Sequence, residues 1–357
     1  MLRYFRQKII NMILVLFGVV TVVFLLFNVL PGDPARMMLD QHEDSQQISI
    51  IRKKYGFDKP IYQQYLLYIN DLSVISVHSN TLEDYSYFDR DKYRGRLLID
   101  MGNYSLALKY PYLRESFNKS GKKVTQIIAE ALPNTILLAS ASIMISIFLG
   151  IFLGVISALF KDSWLDRIIA VVSTLGMSVP SFFSSIIFAW IFGYLWHKYT
   201  GLNMSGGLYE VDNFGEKVYI EWKNLLLPAV VLGIRPLAVT VQLMRNSLLE
   251  TLNQEYIKTA IAKGLSRYEV IRKHAIKNSL NPVVTSISGW FASMLAGSVF
   301  VEFIFGWNGI GKEIVDALNY QDLPVVMGAV LVISVFFVLI NIFIDLIYNL
   351  LDPRIRY

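Results

Sequence analysis

A few polar residues stand inside long apolar runs, and their types limit the chemistry available. Arg235 and Gln242 share one helical face (i, i+7) of the run 225–244, and Arg245 closes that run. A cation in such a place marks a solute path, a gate or a buried ion pair, because leaving it unpaired in lipid is costly. Two readings of Arg235 stand: contact with a carboxylate or a gate in a translocation path, or burial against carbonyls or an acidic partner. For Arg245 the expected partner is Asp345, near the inner end of the last apolar run, as an ion pair holding a bundle together. Glu302 reads as a rim charge at an interface. The run Gly306-Trp307-Asn308-Gly309-Ile310-Gly311-Lys312-Glu313 nearly spells a phosphate-binding loop. It lacks the Ser or Thr after the lysine that holds Mg²⁺, and an apolar run, not a strand, precedes it. The four histidines, His42, His78, His197 and His274, are not spaced as metal ligands, and with no cysteine there is no thiolate chemistry. Neither His-Glu-x-x-His nor Gly-x-Ser-x-Gly occurs, which argues against an intramembrane enzyme.

The elements that must position these residues are membrane spans. Hydrophobic residues make up 54% of the chain and charged residues 17%, with mean hydropathy +0.45. The excess is concentrated in blocks long enough to cross a bilayer. Spans are expected at 9–30, 135–160, 168–196 (kinked at Ser178-Val179-Pro180), 225–244, 282–301 and 324–351. The expected divisions are a first transmembrane helix at 1–30, an external segment at 31–130, a transmembrane domain at 131–351 and a tail at 352–357. Lys and Arg crowd the short segments that share a side with the N-terminus, which predicts both termini inside. The same bias accounts for the net charge of +5 without a nucleic-acid partner. In the external segment, Lys59-Pro60 predicts a helix start, with Ile61, Tyr65, Tyr68, Ile69 and Leu72 on one face. Residues 73–98 show no clear period and read as an external insertion.

Between the fourth and fifth spans lies a basic hairpin, 250–280. Glu255 to Ala262 are good helix formers, and Gly264 can take the left-handed position that ends a helix. Ser266 and Glu269 have the spacing of a capping box that opens a second helix. On physical grounds alone an ordinary amphipathic connector remains open beside any docking role.

Glu255, Ala260 and Gly264 resemble the "EAA loop" of permease subunits of ATP-binding-cassette importers. The fuller run, Glu255-Tyr256-Ile257, Thr259-Ala260, Ala262-Lys263-Gly264-Leu265, then His274-Ala275 and Asn278 before Pro282, resembles the dipeptide/oligopeptide/nickel subfamily. Pro31-Gly32-Asp33-Pro34, the loop from Glu302 to Gly311, Asp345-Leu346-Ile347-Tyr348 and Asp352-Pro353-Arg354 are similar to that subfamily in the same order. The whole looks most like the first of its two permeases. Two departures are the longer 73–98 stretch and Asn308, where the family often has proline.

The resemblance implies an all-α polytopic membrane protein of about six spans, with a type-1 importer-like transmembrane domain and an extended external segment. It implies a bacterial inner-membrane location and a hairpin, carried by Glu255, Ala260, Gly264, Ser266 and Glu269, that docks on a cytoplasmic ATPase. The expected partners are a homologous second permease, two ATPase subunits, an external solute-binding protein and membrane lipid. ATP and Mg²⁺ would sit on the ATPases, with no cofactor on this chain. Arg235 and Gln242 would line the path, Arg235 against a peptide carboxylate. The rival readings are an autonomous secondary transporter or channel, which would favour inverted repeats that this sequence does not display, and an intramembrane enzyme.

Overall fold

The computed structural model describes residues 2–29, 35, 45–119, 121–212 and 215–351, with the side-chain surroundings of 2–5, 27–29, 288 and 345–351 excepted. The Pro31–Pro34 turn and the tail 352–357 lie outside the described residues. The fold is helical, with two small sheets, and divides into two compact units. One comprises residues 1–130 and 313–335, the other 131–312 and 336–356.

In the first unit, α1 (Leu2–Val29) is an apolar helix without an acidic residue in its first turn. Helices α2 (Ser45–Tyr55) and α3 (Ile61–Leu72) follow. Pro60 occupies the N-cap of α3, where the absence of an N–H costs nothing. Tyr65, Tyr68, Ile69 and Leu72 pack against Val20 and Phe24 of α1 and against Met327. Ile61 does not join them and is exposed, because the first turn of α3 overshoots that core. The stretch 73–98, read as an external insertion without clear period, supplies strands of a sheet. Strands β1 (Ile75–Ser79), β2 (Gly95–Asp100) and β3 (Tyr104–Lys109) form an antiparallel sheet of order β1-β3-β2. The register pairs Ile75 with Leu108 and Gly95 with Lys109. A side chain at Gly95 would collide with the Leu108 carbonyl and Lys109.

The long helices follow. Helix α4 (Val124–Leu159) has 36 residues and begins well before the expected span at 135. At ~1.5 Å per residue it exceeds the roughly 30 Å hydrocarbon core, so part of it stands outside lipid. Helices α5 (Trp164–Ser178) and α6 (Ser181–Leu195) meet at 112°. The bend lies where expected, and proline causes it: Pro180 donates no N–H, and Val179 before it is extended at φ −78°, ψ 130°. The second half of α6, Ala189–Leu195, winds as a π-helix.

A β4–β5 hairpin (Tyr209–Val211, Val218–Ile220) leads to α7 (Lys223–Leu252). Helix α8 (Glu255–Ala262) precedes α9 (Arg267–Gly297), and α10 (Val299–Phe305) bends away from α9 by 55°. Helices α11 (Ile310–Asn319) and α12 (Leu323–Leu351) complete the chain. Among the described residues, four helices are long and apolar enough to cross a membrane alone, and up to six spans result if each bent pair is one. The second unit's core gathers Leu138, Ala139, Val231, Leu232, Met294, Leu295, Val301, Phe305 and Trp307.

Candidate functional site

The hairpin is built from strong local signals. Helix α8 ends at Ala262, and Gly264 follows with φ +84°. A Cβ there would meet nothing within 4 Å, so the requirement for glycine is one of backbone conformation and not of space. Ser266 N-caps the next helix in a complete capping box: Glu269 N donates to Ser266 Oγ at 3.3 Å, and the Glu269 carboxylate accepts from Ser266 N at 3.3 Å. Residues Val270–Ala275 then wind as a π-turn within α9. Ile257, Ala260, Val270 and Ala275 are buried against Met244 and Leu248 of α7, Ala158 of α4 and Val283 of α9. Ala260 is thus a packing residue on the inner face. Glu255 pairs with Lys258 at 2.7 Å on the outer face. Ile261 and Tyr268 are 58% and 68% exposed.

Helix α7 carries two arginines in different surroundings. The Arg245 guanidinium forks onto Asp166, Nε to Oδ1 and Nη2 to Oδ2, both at 2.7 Å. Asp166 is buried, and also accepts from Ser157 Oγ and from Asp162 N at 3.0 Å. The expected Arg245–Asp345 pair is therefore corrected: Arg245 is committed to Asp166, and the Asp345 side chain lies outside the described residues. The first turn of α5 brings Asp166 to that place, with Ser163 as its N-cap accepting from Asp166 N. The Ser163-x-x-Asp166 spacing was the available signal.

Arg235 is exposed, and its guanidinium forms no hydrogen bond or ion pair among the described residues. It lines a cavity of about 100 Å³ with Ser181, Ser184, Trp290 and Ser293. Gln242 is not brought to that cavity. Its amide reaches Met177 Sδ on α5 at 3.5 Å, because α7 turns this position toward α5.

Glu302 differs from the expected rim charge. It is fully buried and accepts from Ser298 Oγ at 2.9 Å and Gly311 N at 2.6 Å, with Thr135 and the Lys312 amide also bonded to it. The amides of the phosphate-loop-like segment thus wrap a carboxylate of the chain itself, at the N-terminus of α11. Gly309 has no room for a Cβ because that carboxylate and Thr135 occupy the space, and Gly311 has none because the Val299 backbone and the same carboxylate lie against it.

Residues 150–357 match the family described as "Binding-protein-dependent transport system inner membrane component", and residues 1–139 match its N-terminal companion. The chain belongs to that family. The permease is 32% identical to the dipeptide transport system permease protein DppB of Alkalihalophilus pseudofirmus, over 100% of both chains. It is 29% identical to the glutathione transport system permease protein GsiC of Escherichia coli K12, again over 100% of both. A solved inward-facing structure of the MetNI methionine ABC transporter has TM-score 0.50 at 17% identity. That match covers 64% of this permease and 97% of that chain, and shows a shared fold.

The permease is therefore a multi-pass inner-membrane subunit of an ATP-binding-cassette importer, in the dipeptide/oligopeptide permease family, and it works with ATPase and other subunits. The hairpin's inner face packs on α4, α7 and α9, and α7 is the helix that carries Arg235.

Proposed function

We propose that this permease forms half of a peptide translocation path, with a homologous permease as the other half. Two cytoplasmic ATPases drive it, and an external solute-binding protein delivers the solute. ATP and Mg²⁺ are held on the ATPases, with no cofactor on this chain. Both termini and the hairpin 250–280 are cytoplasmic, and 31–130 is external. The Lys/Arg bias supports that sidedness. The relatives named for dipeptide and glutathione transport support a short peptide as solute. The observation that carries the coupling role is the two-faced hairpin: Ile257 and Ala260 are buried inward while Ile261 and Tyr268 are displayed outward. Glu255, Gly264, Ser266 and Glu269 hold that shape. ATP-driven closure of the ATPases shifts the inward–outward equilibrium through differential contacts on the outer face. Arg235, without a hydrogen-bond or ion-pair partner among the described residues and on a cavity lined by three serines, receives the peptide carboxylate in one of those states.

The test is Gly264→Val in the reconstituted importer, with uptake and ATP turnover measured together. A β-branched residue at φ +84° forces the turn to rearrange. Uptake is expected to fall at least tenfold (about 1.4 kcal/mol of lost coupling) while the spans stay folded. Gly264→Asn, which tolerates positive φ, retains most of it. Wild-type uptake and ATP stimulation in Gly264→Val would reduce the hairpin to a connector.

A further inference from the structure

The segment between α2 and α4 is rich in tyrosine and in charge, and most of that charge is spent internally. Asp71, at the end of α3, is buried and accepts from Tyr85 Oη at 2.7 Å, Tyr93 Oη at 2.9 Å and Arg114 Nε at 3.0 Å. Lys109 Nζ donates to the carbonyls of Asp71 at 2.5 Å and Ser73 at 3.1 Å. This network forms a stiff wall, since removing any member would orphan a buried polar group.

In front of the wall is a cleft of about 710 Å³, lined by Tyr55, Tyr85, Tyr112, Lys92 and Glu115 among others. Small-molecule sites run from roughly 300 to 1,000 Å³ with aromatic linings and a few polar groups. Of the charges that line it, Lys53 and Glu83 pair with each other, Asp84 pairs with Lys59 and Arg114 with Asp71, while Lys92 and Glu115 stand among the tyrosines without an ion pair among the described residues. Lys92 Nζ donates to the Tyr85 carbonyl at 2.9 Å and stands 3.7 Å from the Tyr85 ring centroid. Among the described residues no carboxylate is within ion-pair distance of it. Burial lowers its pKa to about 8, which an anion alongside would reverse. The Glu115 carboxylate makes no hydrogen bond or ion pair among the described residues; burial first, and this carboxylate second, push the pKa values of Tyr55 and Tyr112 up. Lys92 and Glu115, an open cation and an open anion set among tyrosine rings, fit a ligand that carries both charges, with Lys54, Asp89 and Asp91 farther along the same lining.

We propose that this cleft receives the charged ends of a short zwitterionic peptide, its carboxylate on Lys92 and its ammonium against Glu115 and the rings of Tyr55 and Tyr112. The site reads termini and not side chains, so it serves peptides as a class. This inference rests on the reading of the chain as a peptide permease.

The test uses the complete permease–ATPase complex in nanodiscs, without binding protein, in an Arg235→Met background that silences the transmembrane cavity. Saturation-transfer NMR follows Ala-Ala, N-acetyl-Ala-Ala and Ala-Ala amide. Ala-Ala is expected to bind, with affinity about tenfold weaker in Lys92→Met and in Glu115→Gln, the scale of a charge-assisted hydrogen bond. N-acetylation should abolish the effect of Glu115→Gln, and amidation that of Lys92→Met. Should Lys92→Met fail to assemble, Glu115→Gln breaks no hydrogen bond and decides alone. No Ala-Ala binding, or unchanged affinity in the assembled variants, overturns the proposal. Ala-Ala uptake by the full importer is measured in parallel. Uptake without cleft binding overturns the cleft and leaves the peptide reading standing. Cleft binding without uptake of any peptide overturns the peptide reading and leaves the cleft as a zwitterion site.

Discussion

Arg235 and Arg245 stand on one helix, about 15 Å apart along it at ~1.5 Å per residue. Arg245 is closed by a two-pronged bond to buried Asp166, which two further donors hold in place. Arg235 is open, on a cavity wall with serines and a tryptophan. The same side chain on the same element is bound to a carboxylate in one place and open to a cavity in the other. The difference lies in whether a neighbouring element supplies a carboxylate. The first turn of α5 does so for Arg245, whereas the bend at Pro180 carries the chain past Arg235 with only hydroxyls to offer.

The comparison breaks most visibly at the anchor. Asp166→Ala leaves the partly exposed Arg245 guanidinium without its carboxylate, where losing a charge-assisted hydrogen-bond partner costs about 1–3 kcal/mol. Thermal unfolding of the detergent-solubilised complex should show a clear drop in midpoint. Arg245→Met added to Asp166→Ala should recover part of it, since the orphaned charge is then gone. Additive losses would mean that the pair is not coupled.

Arg235→Met sharpens the contrast from the other side. No bond is broken, so the unfolding midpoint should stay within about 0.5 kcal/mol of wild type. Peptide uptake should fall about tenfold through the lost carboxylate contact, with basal ATP turnover unchanged. Disassembly of the variant complex would make Arg235 a second anchor and remove the contrast. The smallest effect belongs to Gln242→Leu. Its amide touches only Met177 Sδ, a weak acceptor, so stability should move by less than about 0.5 kcal/mol and uptake should stay near wild type. A loss of uptake as large as that of Arg235→Met would return Gln242 to the path.

What the sequence made legible follows from the range of the forces involved. Six apolar blocks announce spans because burial in lipid depends on length and apolarity, both local properties. Gly264 and the Ser266–Glu269 box were readable because a helix end is specified within a few residues. The kink at Pro180 is equally local. Pairing is not: the sequence pointed to Asp345 as the partner of Arg245, and Asp166 became visible only in the packing of α5 on α7. Glu302 looked like a rim charge because its donors, Thr135, Ser298 and the amides at 311 and 312, come together only in the folded chain. The β1-β3-β2 sheet escaped notice because its strands are short and β2 is exposed along its whole length, leaving no alternation to detect.

The central claim is that the hairpin 250–280 lies inside the cell against an ATPase and transmits its motion to α7. The chain has no cysteine, so a single one can be placed at Lys263, on the hairpin's exposed outer face. In membranes carrying the assembled importer, a short bifunctional reagent on Lys263→Cys should link the permease to its ATPase subunit. An impermeant thiol reagent added outside intact spheroplasts should leave that position unlabelled while labelling Tyr110→Cys, on an exposed position of the segment 31–130. Labelling of Lys263→Cys from outside, or its cross-linking to the solute-binding protein in place of the ATPase, would contradict the account.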